Sequence, residues 1–374
     1  MMAIARIFML LFTPGPTPVP ESVRLAMATP TLHHRTPEFE AIFKEARERL
    51  LKLLGMDECV MIASSGTGAM QACMLNLCKS KALTVNAGKF GERFGKLADA
   101  MDKKKVELSY EWNTPCSVAD VENALEKHPD VDALFIQVCE SAGGLRHPVE
   151  AIAKKVKEIN PDIMVVADGI TAVGVEPIDV SHIDALITGS QKALMLPPGL
   201  AMIGFSSAAV EKIGAGEDYY FNLASEIKKQ QKNTTAYTAA TTLIIGLNAI
   251  FDAIDEEGVD ALYANTKARA SATQAALEAI GFSMYPQTPA PSMSTVFDED
   301  AEAIRKLLKT KYGVNIAGGQ DHLKGKLFRI NQMGLIPVYE SAWVVNAIEL
   351  ALDELGKRDF DGTANRIFNE VYYK

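Results

Sequence analysis

Lys192 is the residue through which chemistry enters this 374-residue sequence. It follows an apolar run, 183–187, across Thr188-Gly189-Ser190-Gln191, and precedes Pro197-Pro198-Gly199 and a further apolar run, 200–205. A lysine near the end of a buried strand loses basicity by desolvation and can act as an amine nucleophile. A surface lysine in a loop is the plainer alternative. Asp168 closes the run 163–167, 24 residues before Lys192, which is enough chain for a crossover to a neighbouring strand. A carboxylate there can hold a protonated ring nitrogen, although Asp-Gly is also a common turn dipeptide. Ser65-Gly66-Thr67-Gly68 joins an apolar run to a helical pattern. Such a loop offers free N–H groups and a helix dipole to an anion, or is an ordinary N-cap turn. It is not a G-x-x-x-x-G-K-[ST] loop, so a nucleoside triphosphate is not indicated. Phe90, between Gly88 and Gly91, can stack on a planar ligand or simply fill core. Arg329, in an apolar stretch, can grip a carboxylate with two N–H groups, or form a structural ion pair. An amine, a ring-nitrogen carboxylate, a stacking aromatic, a phosphate loop and a carboxylate-binding arginine are together what pyridoxal 5'-phosphate requires.

The elements that must position these residues can be read from periodicity. Phe39, Ile42, Phe43, Ala46, Leu50, Leu53 and Leu54 follow a 3.6-residue period that Gly55 ends. Residues 59–63 read as a buried strand and 69–77 as the next helix. Further strand runs at 82–85, 133–138, 163–167 and 183–187 each lead into polar or glycine-containing segments. Strands alternating with helices imply a mostly parallel sheet covered on both faces, with ligands bound beyond the carboxyl ends of the strands. Past residue 260 a long helix to about 280 and short strands, including 327–330, read as a smaller α+β unit. The expected division is an N-terminal segment 1–20, a large cofactor-binding domain 21–260 and a small C-terminal domain 261–374.

Composition narrows the function. Hydrophobic residues make up 48% and charged residues 23%, a globular balance that excludes a disordered or fibrous chain. With 38 Lys and Arg against 47 Asp and Glu the net charge is −9, and no basic stripe points to nucleic acid. The five cysteines are odd in number and contain no C-x-x-C pair, so neither a disulfide framework nor a cysteine zinc site is supported. His33-His34-Arg35 lacks the acidic or histidine companions of a metal site. Reduced thiols and the absence of an apolar run of membrane-spanning length fit a cytoplasmic protein. The run 7–12 after Arg6 faintly suggests a signal peptide, but Thr13-Pro14-Gly15-Pro16 follows without a cleavage pattern. A start upstream of Met9, or a short first strand, is the expectation, with the choice between Met1 and Met9 left open.

The sequence resembles the class V aminotransferases, in particular the alanine–glyoxylate and serine–pyruvate group. The likeness runs from about residue 11 to 370. It is carried by Thr13-Pro14-Gly15-Pro16-Thr17-Pro18-Val19-Pro20, His34-Arg35-Thr36-Pro37-Glu38-Phe39, Ser64-Ser65-Gly66-Thr67-Gly68-Ala69-Met70 and Gly189-Ser190-Gln191-Lys192-Ala193-Leu194. The resemblance implies a fold-type-I pyridoxal-phosphate transferase, with a mostly parallel seven-stranded sheet and a smaller α+β C-terminal domain. It implies Lys192 as Schiff-base lysine and proton shuttle, Asp168 on the ring nitrogen and Phe90 on the ring face. Ser65, Gly66, Thr67 and Gln191 would hold the phosphate, Ser141 would lie beside the ring, and Arg329 and Gly15 would bind substrate. It also implies a homodimer with shared active sites, in which Thr238 reaches the partner's phosphate. This chain carries Thr235 and Ala239 where some members carry Tyr and Pro, and Ala142 where a Thr is common.

The expected reaction moves an amino group from a small L-amino acid, alanine or serine, to a small 2-oxo acid, glyoxylate or pyruvate. A cysteine desulfurase would need a nucleophilic cysteine late in the chain, and none follows Cys139. An aspartate or aminophosphonate transaminase of the same family is the related alternative. A non-catalytic partner subunit is the alternative of another class, and it should have lost Lys192 or Asp168.

Overall fold

The computed structural model describes residues 9–374. In chain order, β1 (Leu10–Phe12), α1 (Glu21–Met27), α2 (Pro37–Leu54), β2 (Glu58–Ile62), α3 (Gly66–Leu77), β3 (Lys81–Asn86), α4 (Lys89–Ala100) and β4 (Lys104–Ser109) come first. They are followed by α5 (Val118–Lys127), β5 (Ala133–Gln137), the two-residue strands β6 (Cys139–Glu140) and β7 (Leu145–Arg146), α6 (Val149–Ile159), β8 (Met164–Asp168), β9 (Ala185–Gly189) and β10 (Ala201–Phe205). The chain then passes through α7 (Ser207–Ile213), α8 (Leu223–Gln230), α9 (Thr241–Glu257), α10 (Val259–Ala279), β11 (Met293–Phe297) and α11 (Ala301–Thr310). It ends with β12 (Val314–Gly318), β13 (Leu327–Asn331), α12 (Val338–Glu354) and α13 (Thr363–Tyr372).

Seven strands form the main sheet in the order β2-β10-β9-β8-β5-β3-β4. All are mutually parallel except β10, which runs antiparallel to both β2 and β9. The fold is therefore the mostly parallel α/β architecture of fold type I. β2, β5, β8, β9 and β10 are buried at every position, because helices cover both faces of the sheet. On one face Phe39, Phe43, Ala46, Leu50 and Leu54 of α2 are buried at the spacing read from the sequence. Thr36 caps the helix, its hydroxyl accepting from the Phe39 N–H, and Gly55 ends it at φ 65°. On the other face Met70, Met74 and Leu77 of α3 pack against Phe94 and Phe135.

A second sheet, β1-β12-β13-β11, packs against helices of the C-terminal third. The run 7–12 resolves into β1 from Leu10 onward, paired parallel with β12 through Leu10–Val314 and Phe12–Ile316. Phe12 is fully buried in that C-terminal core, so the N-terminal segment is held by residues some 300 positions away. The expected alternative start at Met1 lies outside the described residues. Among those residues no helix is long and apolar enough to cross a membrane.

Candidate active site

Five parallel strands end on one edge of the main sheet, and their following segments build a cleft of about 120 Å3. The structure brings Ser65, Gly66, Thr67, Phe90, Ser141, Asp168, Gln191 and Lys192 together around it. Gly15 joins from the N-terminal segment. A Cβ at Gly15 would lie 2.7 Å from Lys192 Nζ, and its φ of +107° is itself hostile to a side chain. Thr238 is not in this cleft. It lines a separate small pocket with Met61, Thr235 and Tyr237.

One expectation needs correction. The helix after β2 begins at Gly66, not at residue 69, with Ser65 as its extended N-cap. Glycines at 66 and 68 look like loop to a propensity argument, but here they form a helical first turn. A Cβ at Gly66 would lie 2.3 Å from Ile170 Cδ1, so a side chain there would force Ile170 to move. The anion-binding loop and the helix start are thus one feature, and its first-turn N–H groups lack helical acceptors.

Lys192 sits in a tight turn beyond β9. The Met195 N–H and the Thr17 hydroxyl both donate to its carbonyl, at 2.9 and 2.7 Å, and fix its backbone. Its ammonium donates to the Pro14 carbonyl. Burial, and secondarily the positive charge of Arg329, lower its pKa to about 8. Asp168, at the carboxyl end of β8, accepts from the Ile170 N–H at 2.9 Å. Burial pushes its pKa up to about 6, against the pull of Arg93 and Lys192. Arg329 of β13 donates to the carbonyls of Ser141 and Gly318, at 2.6 and 2.7 Å. Among the described residues no carboxylate bonds to it and its buried Nε has no partner, and burial lowers its pKa to about 10. A buried guanidinium whose hydrogen bonds run to carbonyls keeps the capacity to bind a carboxylate.

Two residues escaped the sequence reading. Arg93 of α4 donates to the Thr67 hydroxyl at 2.8 Å and lies 4.6 Å from the Phe90 ring centre, bracing both groups. Its signal was the i,i+3 spacing from Phe90 on one helix face. Glu140 is buried, and its carboxylate accepts from the N–H groups of Phe90 and Gly91 at 2.9 and 2.8 Å and of Ala142 at 2.9 Å. Burial raises its pKa to about 7 despite these bonds. It ties the aromatic at 90 to the segment bearing Ser141. Its signal was a charged residue just past an apolar strand, the same cue that marked Asp168.

The donor set fits pyridoxal phosphate on grounds visible in this chain. A buried lysine of lowered pKa, a buried carboxylate with only a backbone partner and a glycine-built helix start face one cleft.

Residues 10–335 match the family model described as Aminotransferase class-V, and the chain belongs to that family. An uncharacterized aminotransferase of Helicobacter pylori is 51% identical over 98% of this chain and all of the relative. A protein of Synechococcus named as the small subunit of a soluble hydrogenase is 33% identical over 94% of each chain. The crystal structure of an alanine–glyoxylate aminotransferase from Nostoc matches with a TM-score of 0.85 and 25% identity, over 92% of this chain and 95% of that one. The protein is an aminotransferase related to enzymes of the glyoxylate-using group.

Proposed function

We propose that the protein is a pyridoxal-phosphate-dependent transaminase that moves the amino group of a small L-amino acid, alanine or serine, to glyoxylate or pyruvate. The observation that carries this reading is Lys192 at lowered pKa in the same cleft as a buried Asp168. When bound, the cofactor supplies an electron sink that acidifies the substrate α-carbon and carries the amino group between the two half-reactions. Lys192 would hold it, and the Lys192 amine would move the substrate α-proton. An amine with a pKa near neutrality is suited to both directions of that transfer. Asp168 keeps the ring nitrogen protonated. Phe90, braced by Arg93, offers its face to the ring, and Ser65, Gly66, Thr67 and Gln191 hold the phosphate. Arg329 binds the substrate carboxylate, the anion its burial lacks. Gly15 leaves room beside the amine. Alternate use of one lysine by two substrates gives ping-pong kinetics.

The working unit in this reading is a homodimer. Thr238 lies outside its own chain's cleft, beside exposed tyrosines: Tyr219 is 81% exposed and Tyr220 stacks on Tyr237 at 5.1 Å. Exposed aromatic clusters of this kind suit a subunit contact. The name of the Synechococcus relative favours a second reading, a partner subunit, but Lys192 and Asp168 are both in place.

The test is the absorption spectrum of the purified protein with pyridoxal phosphate, followed by L-alanine, L-serine and L-aspartate in turn. A band beyond the protein's own aromatic absorption, bleached by alanine or serine and restored by glyoxylate, is expected. A band bleached by aspartate alone, or by none of the three, overturns the substrate class. No band at all leaves the partner subunit standing.

A further inference from the structure

A cavity of about 510 Å3 lies apart from the active-site cleft. Three parts of the fold enclose it: the segment 175–177 beyond β8, one face of α10, and the stretch 284–294 that leads into β11. Its floor is apolar, from Met284, Pro289, Ala290 and Met293. On α10 the small residues Ala264 and Ala270 leave the space open.

The polar groups around this floor are unevenly satisfied. Glu176 is held by Arg146, whose Nε lies 3.0 Å from its carboxylate. Lys267, at the exposed rim on α10, makes no ion pair with the other described residues. The Tyr263 hydroxyl likewise finds no hydrogen-bond partner among them, and burial raises its pKa, so it is a protonated donor at neutral pH. A concave apolar surface rimmed by a solvent-facing cation and an O–H donor free of protein partners among the described residues is the general form of a site for an amphipathic anion.

We propose that this cavity is a second ligand site, one that takes a small carboxylate with a flat apolar body, the carboxylate meeting Lys267 and Tyr263 and the apolar body lying on Met284, Pro289 and Met293. The site is separated from the cleft by one packed layer. Val175, on its inner wall, packs with Ala193 and Met333, which neighbour Lys192 in sequence and follow β13. The proposal does not depend on which amino acid the active site uses.

The test uses the cofactor-loaded protein and the fluorescent aryl sulfonate 8-anilinonaphthalene-1-sulfonate as probe. Saturable binding is expected, competed by indole-3-acetate and at least tenfold less well by uncharged indole. Lys267→Ala should weaken probe binding about tenfold, the loss of one charge-assisted hydrogen bond. Ala270→Trp should abolish it by filling the space, and Ala264→Phe serves the same purpose if the first variant folds poorly. All three variants should keep the parent transamination rate, since none touches the cleft. Absent saturable binding, binding indifferent to both filling variants, or indole competing as well as indole-3-acetate would each overturn the proposal.

Discussion

The two edges of the seven-stranded sheet treat buried charge in opposite ways. At the amino ends of the strands, charges are paired. Glu58, opening β2, bonds to Arg47 and to the Gln231 amide at 2.8 Å. Asp184, just before β9, takes Lys157 at 2.5 Å, the Val165 N–H at 2.7 Å and the Ser206 hydroxyl at 3.0 Å. At the carboxyl ends, among the described residues, Asp168, Glu140 and Lys192 hydrogen-bond only to backbone groups, and Arg329 reaches in from the second sheet on the same terms. Burial moves the pKa of each of these four toward its neutral form. Unpaired buried charge is costly and is retained where a ligand completes it. The amino edge is built for stability and the carboxyl edge for chemistry.

The largest test of that contrast is Lys192→Ala. Transamination should fall by about 10³-fold or more, the scale of losing a proton-transferring group, with no loss of thermal stability. Steady-state rates and a melting curve on the same preparation check both halves. At the opposite edge, Lys157→Met should reverse the pattern. It leaves Asp184 buried without its cation, so stability should drop by about 3 kcal/mol, while kcat and KM of the folded fraction stay at the parent values. Urea unfolding beside kinetics at low temperature reads this out. If Lys157→Met lowers kcat, the division between the edges fails.

Arg329→Ala comes next. Its guanidinium already donates to two carbonyls, so in the proposed function its remaining capacity is what substrate would gain. Loss of a charge-assisted contact predicts a KM for the amino acid raised about 10- to 100-fold, with a smaller change in kcat. Arg329→Lys should recover little, because a point charge cannot span the Ser141 and Gly318 carbonyls and a carboxylate together. An unchanged KM would remove Arg329 from the substrate site.

Much of this arrangement was legible in the sequence, and the remainder was hidden for identifiable reasons. Lys192, Asp168 and the 65–67 turn could be read because the central strands bury every residue, so the polar segment past each apolar run marks the sheet's ligand edge. Glu140 obeys the same rule. Arg93 was invisible to a reading by strands because it belongs to a helix face. The direction of β10 was not legible either: residues 201–205 are buried on both faces, and an unbroken apolar run carries no sign of orientation. Nor could local pattern reveal that β1 pairs with β12, since register between segments 300 residues apart is set by the assembled core.

The smallest effect sharpens the comparison most, because here a removed charge should stabilise. Asp168 has a pKa of about 6 in the folded chain against the ordinary 3.8. Below pH 3.8 both states carry the proton and the shift has no effect. Between the two values the folded state keeps a proton that the unfolded chain has lost, so stability falls as pH rises. Above pH 6 the penalty is fully present. Asp168→Asn keeps an acceptor for the Ile170 N–H and removes the charge, so the cofactor-free variant should be roughly 1–3 kcal/mol more stable than the parent at pH 8. That gain should shrink toward zero at pH 4. Activity should move the other way, by about 10²-fold, through loss of the ring-nitrogen partner. Thermal midpoints of parent and variant across pH 4–8 give the answer. A variant less stable at pH 8 would mean that Asp168 is already paired within the chain, as Asp184 is, and the carboxyl edge would then differ from the amino edge in position alone.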